Sequence, residues 1–205
     1  CRGPVDLLAA DAVRELLAFQ PDRPVVLAEG GAVEPSHSGP FRLYAKDKAG
    51  VILHDVLFAS FFAGAAGTGQ CWHWSPYVAA NDLWGQFGGF AAAVRDLDPP
   101  AERLQPLAIE HPRLRVYALK GLHTTLLWCR DKENSWDREL RDGRPPEEVR
   151  DAALDLAPLG PLPPNAQAAA YDPWTGHSSP LVLKGAAVAL PLFRRSLVLR
   201  LTAPH

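Results

Sequence analysis

The chain has 205 residues, with 21 basic and 23 acidic side chains and a formal net charge of −2 at pH 7. Both signs are interspersed along the chain, so its charge gives no reason to propose nucleic acid as a partner. The length is sufficient for one domain or two with a buried core. Cys71 and Cys129 lie far apart without metal-binding spacing, and we interpret both as buried thiols.

The sequence begins with Cys1 and contains no methionine. We therefore expect a fragment, a processed product, or a sequence whose start was not recovered. The alternative is that Cys1 is the lipid-modified first residue of a mature lipoprotein. No signal peptide is visible. The most apolar run, residues 51–67, is interrupted by polar side chains and is too short to cross a bilayer, so we expect no membrane span.

The first half of the chain alternates between helical and strand-like patterns. Residues 5–19 predict an amphipathic helix that Pro21 ends, with one apolar stripe made of Val5, Leu8, Ala9, Ala12, Leu16 and Phe19. Residues 24–28 (PVVLA) predict a strand, and their lack of alternation is typical of strands covered on both faces. Glu29 follows the end of that strand. Residues 30–48 predict a polar loop that is long enough to be functional.

A buried helix is predicted for residues 51–67, followed by a second strand and loop at residues 70–77 (QCWHWSPY). In such a strand Trp72 and Trp74 share one face and His73 lies on the other. Residues 83–94 predict a last helix with Asn81 or Asp82 as its N-cap. The order helix–strand–helix–strand–helix is typical of one end of an α/β barrel.

The pattern changes after Asp98. Turn residues then separate six short strand patterns, at residues 114–119, 124–129, 166–171, 181–183, 187–190 and 196–201. Many short strands with such turns predict an antiparallel β-sandwich, and the charged residues 131–150 predict an exposed excursion between strands. We therefore predict two domains, residues 1–98 and 105–205.

Three segments of the first domain resemble the last part of a clan A glycoside hydrolase barrel, of the cellulase-like family five type. Residues 24–31 (PVVLAEGG) are similar to strand seven, which in that clan ends in the nucleophilic glutamate. Residues 54–69 (HDVLFASFFAGAAGTG) resemble the helix and turn that follow, and residues 70–77 resemble strand eight with its active-site tryptophan. The resemblance continues weakly into residues 171–176 (YDPWTG) and 190–193 (LPLF), which are similar to the small β-sandwich that often follows such barrels.

The sequence departs from this family in two places. The family usually has an aromatic residue after the strand-seven glutamate and glycine, whereas Glu29 is followed by Gly30, Gly31 and Ala32. Strands one to six have no counterpart in the chain, and a complete barrel needs roughly 250 residues. A missing N-terminal barrel segment of the same protein is therefore an expected partner.

The resemblance implies the last βα units of a (β/α)8 TIM barrel followed by a small antiparallel β-sandwich. It implies a retaining glycoside hydrolase, acting on β-linked poly- or oligosaccharides, in which Glu29 is the nucleophile. Trp74 would be the substrate platform, and the further substrate-binding candidates are Tyr77, His37 and Trp72. The resemblance implies neither cofactor nor metal, and it implies an extracellular or periplasmic location.

Each of these residues has a structural alternative. Glu29 could cap a loop or pair with an arginine, and Trp72 and Trp74 could be core aromatics. Glu34 is the second candidate carboxylate. The tryptophans of the second half, Trp128, Trp136 and Trp174, could form a carbohydrate-binding face or belong to the sandwich core. The alternative function is a non-catalytic carbohydrate-binding or structural remnant.

Overall fold

The computed structural model describes residues 3–19, 22–34, 36, 39–163 and 165–203. Cys1 and His37, both named in the sequence analysis, lie outside these ranges. The chain divides into two compact units, the first comprising Cys1–Ala91 with Ser135–Pro145 and the second Ala92–Asn134 with Pro146–His205. This division falls a few residues before the predicted one. It also assigns part of the predicted charged excursion to the first unit.

The main helices in the described part of the first unit are α1 at Val5–Phe19, α2 at Val51–Phe62 and α3, which begins in this unit, at Trp84–Ala93. The helix α1 has the predicted bounds, but its buried side is rotated from the predicted stripe. Leu8, Leu16 and Phe19 are exposed, while the face with the small side chains Ala9 and Ala10 is buried. That face packs against α2 because small side chains let two helices approach closely.

The helix α2 is buried along its whole length. All twelve of its residues, including His54, Asp55 and Ser60, are buried. The sequence prediction of a buried helix in this region is confirmed. A helix that is apolar all round has no solvent face to define, which is why its sequence shows no amphipathic stripe.

Two extended segments run side by side in parallel, one before α2 and one after it. The carbonyls of Val25 and Leu27 accept hydrogen bonds from Ala66 N (2.8 Å) and Gln70 N (3.0 Å). Gly30 and Cys71 then form a parallel bridge. The segment that ends in Glu29 is therefore the parallel neighbour of the segment that leads to Trp72.

Residues 24–28 and 70–77 do not form the predicted strands: the described backbone there has no regular strand, and Cys71 makes only the isolated bridge with Gly30. Trp74–Ala79 form a π-helical turn, in which Ala80 N donates to Ser75 O at 3.2 Å. The alternation of Trp72, His73 and Trp74 had indicated a strand. Pro76 accounts for the difference, because its fixed φ and missing N–H suit the first turn of a helix and oppose a strand.

The regular structure of the second unit is mainly antiparallel sheet. A short helix, α4 at Pro99–Glu102, precedes the strands, and Asp98 caps it by accepting from Ala101 N at 3.1 Å. Among the described residues the strands are, in chain order, β1 Gln105–Ile109, β2 Leu114–Lys120, β3 Thr124–Asp131, β4 Glu148–Val149, β5 Ala153–Asp155, β6 Gln167–Asp172, β7 His177–Leu181, β8 Leu183–Lys184, β9 Ala187–Ala189, β10 Phe193–Arg194 and β11 Ser196–Thr202.

These strands form three antiparallel sheets. The largest has the order β1-β2-β3-β11-β6-β7, and the smaller ones pair β10 with β4 and order β5-β9-β8. One hydrophobic cluster joins side chains of the large sheet, such as Leu127 and Leu199, to Val188 and Phe193 of the small sheets. The predicted fold class is thus confirmed in its coarse form: the chain has helices and antiparallel sheets, and its C-terminal part is mainly sheet.

Among the described residues, every helix is too short or too polar to cross a bilayer. The buried thiols Cys71 and Cys129 are as predicted. Burial raises the pKa of both, so they stay protonated at neutral pH.

Candidate functional site

The backbone brings Glu29 close to Trp72. Trp72 N donates to the carbonyl of Gly30 at 3.3 Å, one residue beyond Glu29. Glu29 is exposed, and Trp72 is 61% exposed. The carboxylate and the indole therefore leave the same end of two neighbouring parallel segments, and both are open to a ligand.

Trp72 and Trp74 are exposed and His73 between them is buried, so the alternation expected for residues 72–74 is present. The Trp74 ring lies nearly parallel to two rings of α3, those of Trp84 (6.1 Å between centroids, 17°) and Phe87 (5.6 Å, 14°). Trp84 was not predicted as a site residue. The signal was in the sequence, because Trp84 lies off the apolar stripe of its helix.

Tyr77 was predicted to line the site, but it is completely buried. Its hydroxyl donates to Asp47 Oδ2 at 2.6 Å and accepts from Leu53 N at 3.0 Å. Its ring stacks on Tyr44 at 3.8 Å between centroids. Tyr77 thus holds the turn after Trp74 against the N-terminus of α2, and its ring has no surface left for a substrate.

The loop after Glu29 is held by Tyr44, whose hydroxyl accepts from Ala32 N at 2.7 Å. Gly31 has a φ of +110°, and a Cβ on it would lie 2.6 Å from the Tyr44 hydroxyl. Any larger residue would therefore collide with Tyr44 and strain the backbone. This contact explains physically why glycine follows Gly30, where the resembled family has an aromatic residue.

The histidines near the site have structural surroundings. His54 is buried in α2, stacks on Phe58 at 4.2 Å and pairs through Nδ1 with Gln86 Oε1 at 3.0 Å. His73 is buried, and its Nδ1 has no hydrogen-bond partner in the described part of the chain. Burial lowers the pKa of His73, so the ring is neutral at pH 7. His37 lies outside the described residues.

Three other carboxylates of the first unit, those of Glu34, Asp47 and Asp55, are hydrogen-bonded or buried. Glu34 Oε1 accepts from Arg42 N at 2.6 Å. Both oxygens of Asp47 accept backbone N–H groups of α2, and Asp55 is buried. Within the described ranges, no group of three His, Cys, Asp or Glu side chains is placed to hold a metal ion.

The tryptophans Trp128 and Trp136 belong to cores rather than to an open face. Trp128 is fully buried, and Trp136 is buried with its Nε1 donating to Gly3 O at 2.9 Å. Trp174 donates from Nε1 to Ser196 Oγ at 2.9 Å, and the guanidinium of Arg195 lies 4.7 Å from its ring centre. Trp128 therefore fits the core interpretation, whereas Trp136 is buried in the first unit and not in the predicted sandwich, and Trp174 is only partly buried.

Comparison with known protein families gives no family that matches this chain. Comparison with curated proteins likewise gives no match.

Proposed function

We propose that this chain is the C-terminal portion of a retaining glycoside hydrolase acting on β-linked poly- or oligosaccharides, with Glu29 as its nucleophile. One observation carries the proposal: the segment ending in Glu29 pairs in parallel with the segment ending in Trp72, and α2 connects them. Catalytic groups at the ends of parallel strands are typical of (β/α)8 barrels. The two segments and α2 would be the last βα units of such a barrel.

The proposed chemistry uses both side chains. The Glu29 carboxylate attacks the anomeric carbon of the sugar and displaces the leaving group, and water then hydrolyses the glycosyl-enzyme intermediate. An indole ring covers the apolar face of the pyranose and orients it. The first step needs a second carboxyl group, ~5–5.5 Å from the nucleophile, to protonate the leaving oxygen.

An exposed apolar side chain in the first unit supports the hypothesis that an upstream segment of the protein packs there and supplies this acid. Val26, three residues before Glu29, is 55% exposed although it belongs to an apolar segment. In a complete barrel the neighbouring strands would cover such side chains and enclose the carboxylate. The second unit, with one core between its large and small sheets, would be the accessory β-sandwich.

Aryl β-glucosides, β-mannosides and β-galactosides test this proposal. The 205-residue chain should release no aryl group at a useful rate, because losing the general acid alone removes about 10²–10⁴ in rate. A longer version carrying the upstream strands should turn over, and Glu29→Gln in it should abolish turnover. Glu29→Ala with added azide should regain turnover and form a glycosyl azide of inverted configuration, because azide replaces the missing nucleophile.

Glu34→Gln in the longer version is the matched control and should retain activity. It makes the same change five residues downstream and keeps the oxygen that accepts from Arg42 N. A longer version that tolerates Glu29→Gln would disprove the assignment of the nucleophile. Robust turnover by the 205-residue chain alone would show that the acid is present within it.

The second candidate function is a non-catalytic carbohydrate-binding or structural remnant. The observation that favours it is the engagement of Glu34, Asp47 and Asp55 in local contacts, which leaves none of them as the partner acid of Glu29. An inactive longer version that still binds glycans would support this candidate.

A further inference from the structure

We infer that the turn between β1 and β2 is an acid-sensitive latch, which holds the edge strand β1 in the sheet while His111 is neutral and opens when the His111 ring takes up a proton. The turn consists of residues 110–113 (EHPR), and we call it the His111 latch. It lies entirely in the second unit. The inference is therefore independent of the proposed function, which concerns the first unit.

The His111 side chain completes the hydrogen bonding of this turn. Its Nδ1 accepts from Arg113 N at 3.1 Å and from Leu114 N at 2.9 Å. Both partners are donors, so Nδ1 carries no proton while the turn is closed. A protonated ring would place its own N–H opposite two other N–H groups, and both hydrogen bonds would be lost. The closed turn thus requires the neutral ring.

The charges around the ring also oppose its protonation. Lys132 Nζ donates to His111 O at 2.6 Å, so a cation lies beside the turn. The guanidinium of Arg113 donates to both carboxylate oxygens of Asp131, at 2.7 and 3.0 Å, and these two charges balance each other. The other charged side chains of the turn, of the end of β3 and of the segment leading to β5 are Glu110, Glu133, Glu147, Glu148, Arg150 and Asp151.

These surroundings set the direction of the pH response. Burial lowers the pKa of His111, and the charge of Lys132 lowers it further, while a hydrogen bond with the Ala153 backbone offsets part of the decrease. In the open turn the ring is in water, with an ordinary pKa of about 6.5. The contribution of the latch to stability is therefore complete above about pH 6.5. It is lost as pH falls from there through the lowered pKa of the closed turn.

The strand that the latch holds has few other contacts to keep it in place. In the described sheet β1 is at one edge and has β2 as its neighbour. Four of its five residues are exposed, and Ile109 is its member of the hydrophobic cluster. Pro106 has no N–H to donate to the ladder. We therefore expect β1 to loosen before the rest of the sheet when the turn opens.

Hydrogen exchange in the 205-residue chain tests the latch, measured by NMR between about pH 7.5 and about pH 4.5 and corrected for the intrinsic exchange rate. The protection of Arg113 N–H and Leu114 N–H should fall below about pH 6.5. The fall should be at most about tenfold per pH unit, because one proton is taken up. The amides of β1 that bond to β2 should follow. The amide of Leu199, in the central strand β11, should keep its protection.

The decisive variant is His111→Asn. An asparagine oxygen accepts the backbone N–H two residues further on and does not titrate, so the variant should keep Arg113 N–H protected over the whole pH range. His177→Asn is the matched control, since it makes the same change at an exposed histidine of β7. That control should lose protection at Arg113 N–H as the wild type does.

Lys132→Gln tests the contribution of the cation. It removes the charge and keeps an N–H group that can donate to His111 O. The pKa of His111, read from the chemical shifts of its ring protons, should rise. The total loss of protection at Leu114 N–H on acidification should then be smaller than in the wild type, because the closed and open turns differ less in their affinity for the proton.

Other outcomes would overturn the inference. Constant protection of Arg113 N–H and Leu114 N–H down to about pH 4.5 would refute the latch, as would an unchanged pH dependence in His111→Asn. An equal loss of protection at Leu199 would show that acid acts on the whole unit and that the turn does not open by itself. A wild-type His111 ring that titrates above about pH 6.5 would also refute the latch, and this measurement needs no variant.

Discussion

At the scale of single residues, Asp47 determines much of the local order around the candidate site. It is fully buried, and it accepts hydrogen bonds from Val51 N (2.8 Å), Ile52 N (3.0 Å) and the Tyr77 hydroxyl (2.6 Å). A carboxylate is favoured at a helix N-terminus, where backbone N–H groups lack partners. Asp47 therefore joins the start of α2 to the turn that carries Trp74.

This carboxyl should make stability depend on pH. Burial raises the pKa of Asp47, the nearby charge of Glu139 adds to the rise, and the three hydrogen bonds offset only part of it. The folded state thus holds the proton more tightly than the unfolded state. The stabilisation of the folded state by protonated Asp47 is complete below about pH 4, the ordinary pKa of this carboxyl in the unfolded chain. It is lost as pH rises through the raised pKa of the folded state.

We predict that Asp47→Asn removes this dependence. The variant should be less stable throughout, because one amide cannot accept all three hydrogen bonds, with a cost of about 1–3 kcal/mol. The difference in unfolding free energy between wild type and variant should narrow as pH rises from about 4 to 7. Urea unfolding of both proteins at several pH values measures it. A difference that widens with pH would contradict the assigned direction.

The residues of the candidate site were only partly predictable. The sequence indicated Glu29 and Trp72 because each follows an apolar run, a local property. The burial of Tyr77 depends on Asp47, thirty residues away in sequence, and no local pattern shows that contact. The sequence shows that Trp84 lies off the apolar stripe of its helix. It does not show that the Trp84 ring stacks on Trp74, because Trp74 belongs to a different element.

At the scale of elements, the second parallel segment lies against α2 through a glycine. A Cβ on Gly69 would lie 2.5 Å from Ser60 Oγ, 2.7 Å from Val56 Cγ1 and 2.7 Å from the Val56 carbonyl oxygen. The carbonyl belongs to the backbone of a buried helix and cannot move aside. The approach of this segment to α2 therefore requires a residue without a Cβ.

We predict that Gly69→Ala destabilises the protein by about 1–3 kcal/mol, the usual range for overpacking a core. Gly67→Ala is the control, because a Cβ at Gly67 would meet nothing within 4 Å. That change should be neutral or slightly stabilising. Thermal unfolding of both variants checks the prediction. Equal stability of the two would show that the segment can shift away from α2.

The elements were predictable where their pattern was strong. The bounds of α1 follow from its periodicity and from the residues that end it. Which face of α1 is buried depends on its packing against α2. The sequence pattern indicated burial of the face with the larger apolar side chains, whereas the face with the smaller ones is buried. The π-helical turn at Trp74–Ala79 does not follow from the local pattern, because the alternation of three residues indicates a strand and only Pro76 opposes it.

At the scale of the whole molecule, the longest strands of the second unit were predictable, whereas β1, most of β7 and the strand order were not. The patterns at residues 114–119, 124–129 and 196–201 correspond to β2, β3 and β11. The placement of β11 between β3 and β6 is a pairing of distant segments, and alternation within one strand carries no information about its neighbours. Two-residue strands such as β4 and β10 are too short to show a pattern.

The central position of β11 makes the second unit depend on the end of the described chain. All seven residues of β11 pair with β3, Leu199 opposite Leu127, and five of them pair with β6 on the other side. Leu197, Leu199 and Leu201 project into the hydrophobic cluster. Removing this strand would open two sheet edges and take three leucines out of the core.

We therefore predict that a chain ending at Arg195 aggregates, because newly exposed strand edges pair with other chains. A chain ending at Ala203 is the matched control: it keeps all of β11 and the hydrogen bond from Ala203 N to His123 O. The soluble fraction after expression and the thermal unfolding of the purified protein measure the effect. The control should behave like the complete chain, since its sheet is intact. If the chain ending at Arg195 remained soluble and unfolded at the same temperature, β11 would not be the central strand of the large sheet.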